Sequence, residues 1–193
     1  MYQASRSDKQ IVLDILVSAF GNYSEENQIN LIVKQDKKRL QRMRILMEYM
    51  FEKAISFGDV YISDNNKATL LVNYSDRNRL TWNMIRLSVK LAFGCIGILN
   101  VIPVLKRQAI AKKHYPKEPH IQPMIIGVMD DIKGKGLGPR FMFEIKDHYK
   151  NNKLPVIIDT VSESNIKLYK RFGFKIIDKV ETFSFPIYFL RLG

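Results

Sequence analysis

An apolar run, Pro123-Met124-Ile125-Ile126-Gly127, has the composition of a strand. Pro139-Arg140-Phe141-Met142-Phe143-Glu144-Ile145 reads as the start of a helix. Between them lies Val128-Met129-Asp130-Asp131-Ile132-Lys133-Gly134-Lys135-Gly136-Leu137-Gly138. A strand, a glycine-rich turn and a helix N-terminus in succession form one α/β unit, and that unit binds anions. The first amides of a helix have no partner inside it, and the helix dipole favours negative charge there. Glycines let the backbone turn sharply and approach a phosphate closely. Lys133 and Lys135 add two cations, so a nucleotide pyrophosphate is the expected ligand. A plain flexible turn is the alternative reading of this motif taken alone.

The spacing excludes two common phosphate loops. G-x-x-x-x-G-K-[ST] is absent, and Gly134, Gly136 and Gly138 are each two apart, unlike G-x-G-x-x-G. The segment instead resembles the coenzyme A loop of the GNAT superfamily of N-acetyltransferases, V-x-P-x-x-[QR]-G-x-G-x-[GA]. Val128 stands at its head. Asp130 replaces the usual proline and Lys133 the usual glutamine or arginine, and neither removes an amide donor. A second block follows in the right order. Leu154-Pro155-Val156-Ile157-Ile158-Asp159-Thr160-Val161 reads as a strand. Ser164-Asn165-Ile166-Lys167-Leu168-Tyr169-Lys170-Arg171-Phe172-Gly173-Phe174 is similar to the N-x-x-x-x-[YF]-x-x-x-G-F ending of the family, one residue shorter before the aromatic. Ser164 is the expected helix cap and Gly173 its end. Asn165 and Tyr169 share a helical face. A core stripe of Tyr169 and Phe172 is the competing reading.

The resemblance implies an α/β fold: a mixed, mostly antiparallel, twisted sheet with helices on both faces, splayed where the cofactor enters; it does not extend to residues 78–115, which read as an inserted helical pair. It divides a single domain, 1–193, into an acceptor-side half (1–76), the insertion (77–119) and a cofactor-binding half (120–193). It implies acetyl-coenzyme A as donor and a primary amine of a small molecule or amino-acid-like acceptor as substrate. Ile126, Gly127 and Val128 would lie along the pantetheine. Lys133, Gly134, Lys135, Gly136, Leu137, Gly138 and Pro139 would meet the pyrophosphate, and Asn165 would bond the pantetheine. Tyr169, near the sulfur, would be the general acid. Many family members carry a glutamate on the cofactor strand, but residues 121–128 hold no acidic residue. Asp159 and His120 both remain open as the base, with Asp159 weighted first. A coenzyme A-binding regulatory protein without turnover is the first alternative.

Charge bears on partners. The net charge is +12. Residues 76–120 hold nine Lys/Arg against two Asp/Glu, and residues 34–54 hold seven against three. Solvated helix faces and attraction for an anionic cofactor account for this more simply than nucleic acid, an anionic membrane or an acidic substrate. No helix-turn-helix, zinc-finger or RNA-binding signature occurs, so a basic nucleic-acid-binding module is a second alternative and no nucleic acid is expected. Three histidines and one cysteine argue against a metal or thiolate site. The lone Cys95 excludes an internal disulfide and suits a reducing cytoplasm. Met1-Tyr2-Gln3-Ala4-Ser5-Arg6 lacks an apolar leader core, so no signal peptide is expected. A homodimer is allowed for without being specified.

Along the chain, residues 2–4 suggest a short strand. Ser7-Asp8-Lys9-Gln10 has capping-box spacing before a helix with Val12, Ile15, Leu16 and Ala19 inward, ending near Gly21. Residues 36–57 suggest a longer helix with Leu40, Met43, Leu46, Met47, Met50, Phe51 and Ala54 inward and Lys38, Arg42 and Lys53 facing water. Residues 60–63 and 68–74 form a hairpin across Asp64-Asn65-Asn66-Lys67. In the insertion, residues 91–105 are apolar apart from Asn100 and are interrupted by Gly94, Gly97 and Pro103. That is too short for a membrane span. A buried helix pair or a lid over the acceptor cleft is expected ahead of a membrane-surface hairpin, with Cys95 as a small buried hydrophobe. Residues 174–178 and 183–190 form a last antiparallel pair, with Pro186 arguing for an edge or a bulge.

Overall fold

A computed structural model describes residues 1–21, 28–181 and 186–193. Strand β1 (Tyr2–Gln3) leads through a 3-10 turn (Arg6–Asp8) into α1 (Lys9–Gly21), followed by α2 (Gln28–Ile32) and α3 (Arg39–Phe57). Strands β2 (Gly58–Ile62) and β3 (Ala68–Tyr74) form the expected hairpin. The insertion is α4 (Trp82–Leu91), a π turn (Ala92–Ile96) and α5 (Ile98–His114). Then come β4 (Ile121–Val128), α6 (Leu137–Tyr149), β5 (Val156–Thr160), α7 (Glu163–Arg171), β6 (Lys175–Val180) and β7 (Ile187–Leu192).

The strands make one seven-stranded sheet in the order β1-β2-β3-β4-β5-β7-β6. Every neighbouring pair is antiparallel except β4 and β5, which are joined by the α6 crossover. One face is covered by α1 and α3, whose Val12, Leu16, Met43 and Phe51 pack on Leu71 and Ile125. On the other face Phe141 and Ile145 of α6 pack on Leu70, Val72 and Ile121. Ile166 of α7, with Phe172 and Phe174, packs beside them on Ile158 and Leu190. The expected α/β sheet with helices on both faces is therefore present.

Several local expectations give way. The capping box belongs to Ser5 and Asp8, not to Ser7 and Gln10: the Ser5 amide donates to the Asp8 carboxylate at 2.8 Å. A carboxylate answers the positive helix end better than a glutamine amide does. The long helix begins at Arg39, and Leu40 stays exposed. Arg42 turns inward to Asp36 (2.8 Å) and to the Gly94 carbonyl (2.9 Å), tying α3 to the insertion. Lys53 is also drawn partly inside, where burial and the nearby charge of Lys112 push its ammonium down. Strand β7 lies between β5 and β6 rather than at an edge. Pro186 precedes it, so the missing amide costs the ladder nothing. Phe183, Ser184 and Phe185 lie outside the described residues. Cys95 is fully buried as expected, and burial pushes its thiol up to about 11.

The turn from α3 into β2 depends on Gly58. A Cβ there would stand 1.9 Å from the Val72 carbonyl oxygen of β3. Backbone cannot yield that distance, so Gly58→Ala should lower unfolding free energy by about 3 kcal/mol. A urea titration would read this as a shifted midpoint; an unchanged midpoint would show that the junction has slack.

Candidate active site

The β3–β4 ladder runs the full length of β4, with a bulge between Leu71 and Val72 that leaves Met124 out of register. The β4–β5 ladder has a single register pair, Ile121 opposite Val156, reinforced by the Ile121 amide on the Pro155 carbonyl at 2.9 Å. Past that pair β4 keeps one partnered side, and the backbone groups of the other side face the parting. An extended ligand chain can bond there as a strand would. On the α6 face a cavity of about 350 Å3 is lined by Ile121 and Pro123 of β4, Val156 and Ile158 of β5 and Met142 of α6. Side chains do not fill that face of the parting. Ile126 and Val128 turn toward α6, whereas Gly127 faces α1. A Cβ on Gly127 would come within 2.8 Å of Leu16 Cδ2, so a glycine here lets α1 close on the strand.

The glycine loop is held from behind. The Met129 amide donates to the Lys67 carbonyl (2.9 Å), the Asp130 amide to Ser18 Oγ (3.1 Å), and Lys67 pairs with Asp131 (2.8 Å). A 3-10 turn (Asp130–Ile132) then leads to Gly134 and Gly136, with φ of 82° and 79°. L side chains rarely adopt those angles. Gly136 caps α6, so Leu137 and Gly138 supply its first free amides, and Pro139 sits in the first turn where it is tolerated. A Cβ on Gly134 or Gly136 would meet nothing within 4 Å. The two glycines therefore face open space. Lys133 and Lys135 are both exposed beside them, and Lys135 Nζ donates to the Asp131 carbonyl at 3.2 Å. Open amides, two cations and a parted strand fit the donor set that coenzyme A needs.

On the second block the cap is Ser162, not Ser164. Ser162 Oγ accepts the Asn165 amide at 3.4 Å and also pairs with Ser164 Oγ at 2.7 Å. Asn165 is exposed in the first turn of α7. The helix ends as Gly173 takes φ of 94° and the Phe174 amide returns to the Tyr169 carbonyl (3.1 Å). Tyr169 is half-buried and its ring leans on Phe174 at 5.7 Å. Tyr169 packs against the core, as the competing reading has it, and its phenol feels the charge of Asp159 on β5. Burial, then the charge of Asp159, push that phenol up to about 12.

Asp159 is half-buried on β5 and accepts the Tyr115 hydroxyl. Tyr115 in turn accepts Gln122 Nε2 at 2.7 Å. Burial and then Asp159 raise the Tyr115 phenol, while burial lowers the Arg107 guanidinium against the opposing pull of Asp159. His120 is buried, and its ring stacks on Tyr115 at 5.7 Å and 8°. Its Nδ1 lies 2.8 Å from the Glu118 carbonyl. A carbonyl only accepts, so Nδ1 donates in this contact and Nε2 is the ring nitrogen left to exchange a proton. Both residues expected as bases thus flank one phenol. Tyr115, Gln122 and Arg107 carried no motif: Tyr115 ends a lysine-rich helix, and Gln122 sits in a strand searched for an acid. Asn73, buried opposite Gln122 on β3, finds no side-chain partner among the described residues. Among those residues, no group of three His, Cys, Asp or Glu could hold a metal ion.

No family model matches the chain. Its architecture does match solved structures. A histone acetyltransferase HPA2 and related acetyltransferase from Corynebacterium glutamicum superposes with a TM-score of 0.68 at 17% identity, over 98% of this chain and 93% of that one. The polyamine N-acetyltransferase of Drosophila melanogaster, which forms N-acetylagmatine, gives 0.56 at 15% identity over 98% and 97%. A mosquito arylalkylamine N-acetyltransferase like 5b gives 0.56 at 16% identity over 98% and 97%. With its parted β4–β5 joint and the glycine loop capping α6, the chain has the fold of the GNAT N-acetyltransferases.

Proposed function

We propose that the protein moves an acetyl group from acetyl-coenzyme A to a primary amine of a small molecule or amino-acid-like acceptor. The observation that carries this reading is the parted β4–β5 ladder, with open helix amides on one side and Tyr169 beside Asp159 on the other. The named activities of the Drosophila and mosquito proteins on amines support it.

In this reading residues 120–193 bind the donor, and residues 1–76 with the insertion shape the acceptor side. Gly134, Gly136, Leu137 and Gly138 present amides to the pyrophosphate, with Lys133, Lys135 and Pro139 framing them. The edge of β4 from Ile126 through Gly127 to Val128 receives the pantetheine, and Asn165 holds it from α7. Acetyl-coenzyme A supplies the acetyl group as a thioester. An ammonium cannot attack a carbonyl, so a base must first take a proton. Asp159 takes that role ahead of His120, because its charge reaches Tyr169 while His120 gives one ring nitrogen to its own backbone. Tyr169 gives its hydroxyl proton to the sulfur as the thiolate leaves. A phenol raised to about 12 stays protonated at every lower pH, so it is always loaded as an acid.

Three outcomes follow from these roles. Tyr169→Phe keeps the ring packing and should cut kcat by about 100-fold or more while leaving acetyl-coenzyme A affinity near wild type; equal turnover would remove the acid role. Gly136→Glu puts a side chain and a negative charge at a left-handed cap, so calorimetric binding of acetyl-coenzyme A should be abolished. Wild-type-like binding by that variant would place the donor elsewhere. A base works deprotonated, so wild-type kcat/KM should rise with pH on the acid side. Asp159→Asn should lose that rise; if His120→Gln loses it instead, the base is the histidine.

A further inference from the structure

The insertion is not buried as a pair. The inner stripe of α4, Met84, Leu87 and Leu91, is buried, with Met84 and Leu87 against Phe57. The roughly opposite face carries Trp82, Ile85, Val89 and Phe93 at helical spacing, and these are 87%, 37%, 51% and 64% exposed. In α5, Ile98, Leu99, Ile102 and Leu105 are likewise exposed, Leu99 at 92%. A helix that is apolar on its buried side and again on its outer side has a second surface to cover.

The charge of the segment says what covers it. From Arg77 to Lys117 there are nine Lys/Arg and no Asp or Glu. Arg86 and Lys90 flank the outer stripe of α4, and Lys106, Lys112 and Lys113 follow that of α5. Lys90 pairs with Glu48 of α3 at 2.5 Å, and a second copy of this chain would bring a second set of the remaining cations to the interface. Nucleic acid would match the charge but not eight exposed apolar side chains. An anionic lipid surface matches both, since acyl chains take the apolar stripe and headgroups the cations. No single helix among the described residues is long and apolar enough to cross a membrane, and the pair is bent by 117° at Gly97. That shape lies in an interface rather than spanning one.

We propose that α4 and α5 form a membrane-surface hairpin that docks the protein on anionic bilayers through Trp82, Phe93 and Leu99. Its lysines and arginines add the electrostatic attraction. This rests on the surface alone and stands whether or not acetyl transfer is confirmed.

Trp82 is the only tryptophan, so its fluorescence reports directly on the docking face. Full-length protein should float with phosphatidylcholine vesicles containing about a third phosphatidylserine, with blue-shifted Trp82 emission. Binding should fall at least tenfold on pure phosphatidylcholine, and again when salt is raised above about 0.1 M. Phe93→Ser with Leu99→Ser should weaken vesicle binding at least tenfold while leaving the thermal melt unchanged, because both residues are exposed. Lys112→Gln with Lys113→Gln should flatten the salt dependence. Absence of flotation on anionic vesicles at low salt would overturn the proposal. So would binding indifferent to the serine pair, self-association abolished by that pair, or tighter binding to single-stranded RNA than to vesicles.

Discussion

The parallel joint between β4 and β5 is the constraint on which the rest depends. One register pair, Ile121 opposite Val156, holds two strands that elsewhere have other neighbours. β4 is fully paired to β3, and β5 to β7, so the sheet is not weakened by their separation. The crossover through α6 fixes the glycine loop at the end of β4, and α7 leaves from the end of β5. The two motif blocks therefore meet at the open ends of the same two strands, although 25 residues lie between Gly138 and Ser164 along the chain. Closing the joint with further ladder pairs would satisfy more backbone bonds and abolish the cleft.

Electrostatics concentrates around that cleft in an uneven way. The positive excess is spread over residues 34–54 and the insertion, whereas Asp159 is a carboxylate reached by three residues of two helices. Tyr115 donates to it from the end of α5, Arg107 feels its charge from within α5, and Tyr169 feels it from α7. A phenol that donates to a half-buried carboxylate fixes its orientation. Gln122 completes the chain by donating to the same phenol oxygen. The insertion thus belongs to the site as well as to the surface.

What the sequence made legible was whatever one backbone requirement dictates. Gly134 and Gly136 were readable because only glycine sits comfortably at their angles, and the strand and helix on either side follow from periodicity. Helix caps were less legible where serines crowd together. Ser5 and Ser7, or Ser162 and Ser164, offer the same hydroxyl two residues apart, and the choice rests on which amide the surrounding turn presents. Position in the sheet was not legible for β7, because Pro186 fixes only where a strand can start. Tyr115 and Gln122 were beyond reach for a different reason. Their partnership with Asp159 spans 44 and 37 residues and is made by packing α5 against β6 and β7, which no local pattern encodes.

That packing makes α5 an element with two obligations. Its inner side, through Ile110 and Ala111, joins Tyr115 on Val180, Ile187 and Phe189, and His114 pairs with Asp178 at 2.7 Å. Its outer side is apolar toward its start and cationic toward its end. Helices that serve only as a cover need no apolar outer stripe, because exposure of such side chains costs solubility without adding to the core. Here the outward residues cluster at the Gly97 elbow, where Phe93, Ile98 and Leu99 stand out together. The far end of the same helix holds the phenol that orients Asp159. Any surface that engages the elbow and tilts α5 must therefore either preserve the Tyr115–Asp159 bond or break it. In this architecture the apolar elbow and the phenol bonded to Asp159 belong to one helix and its cap.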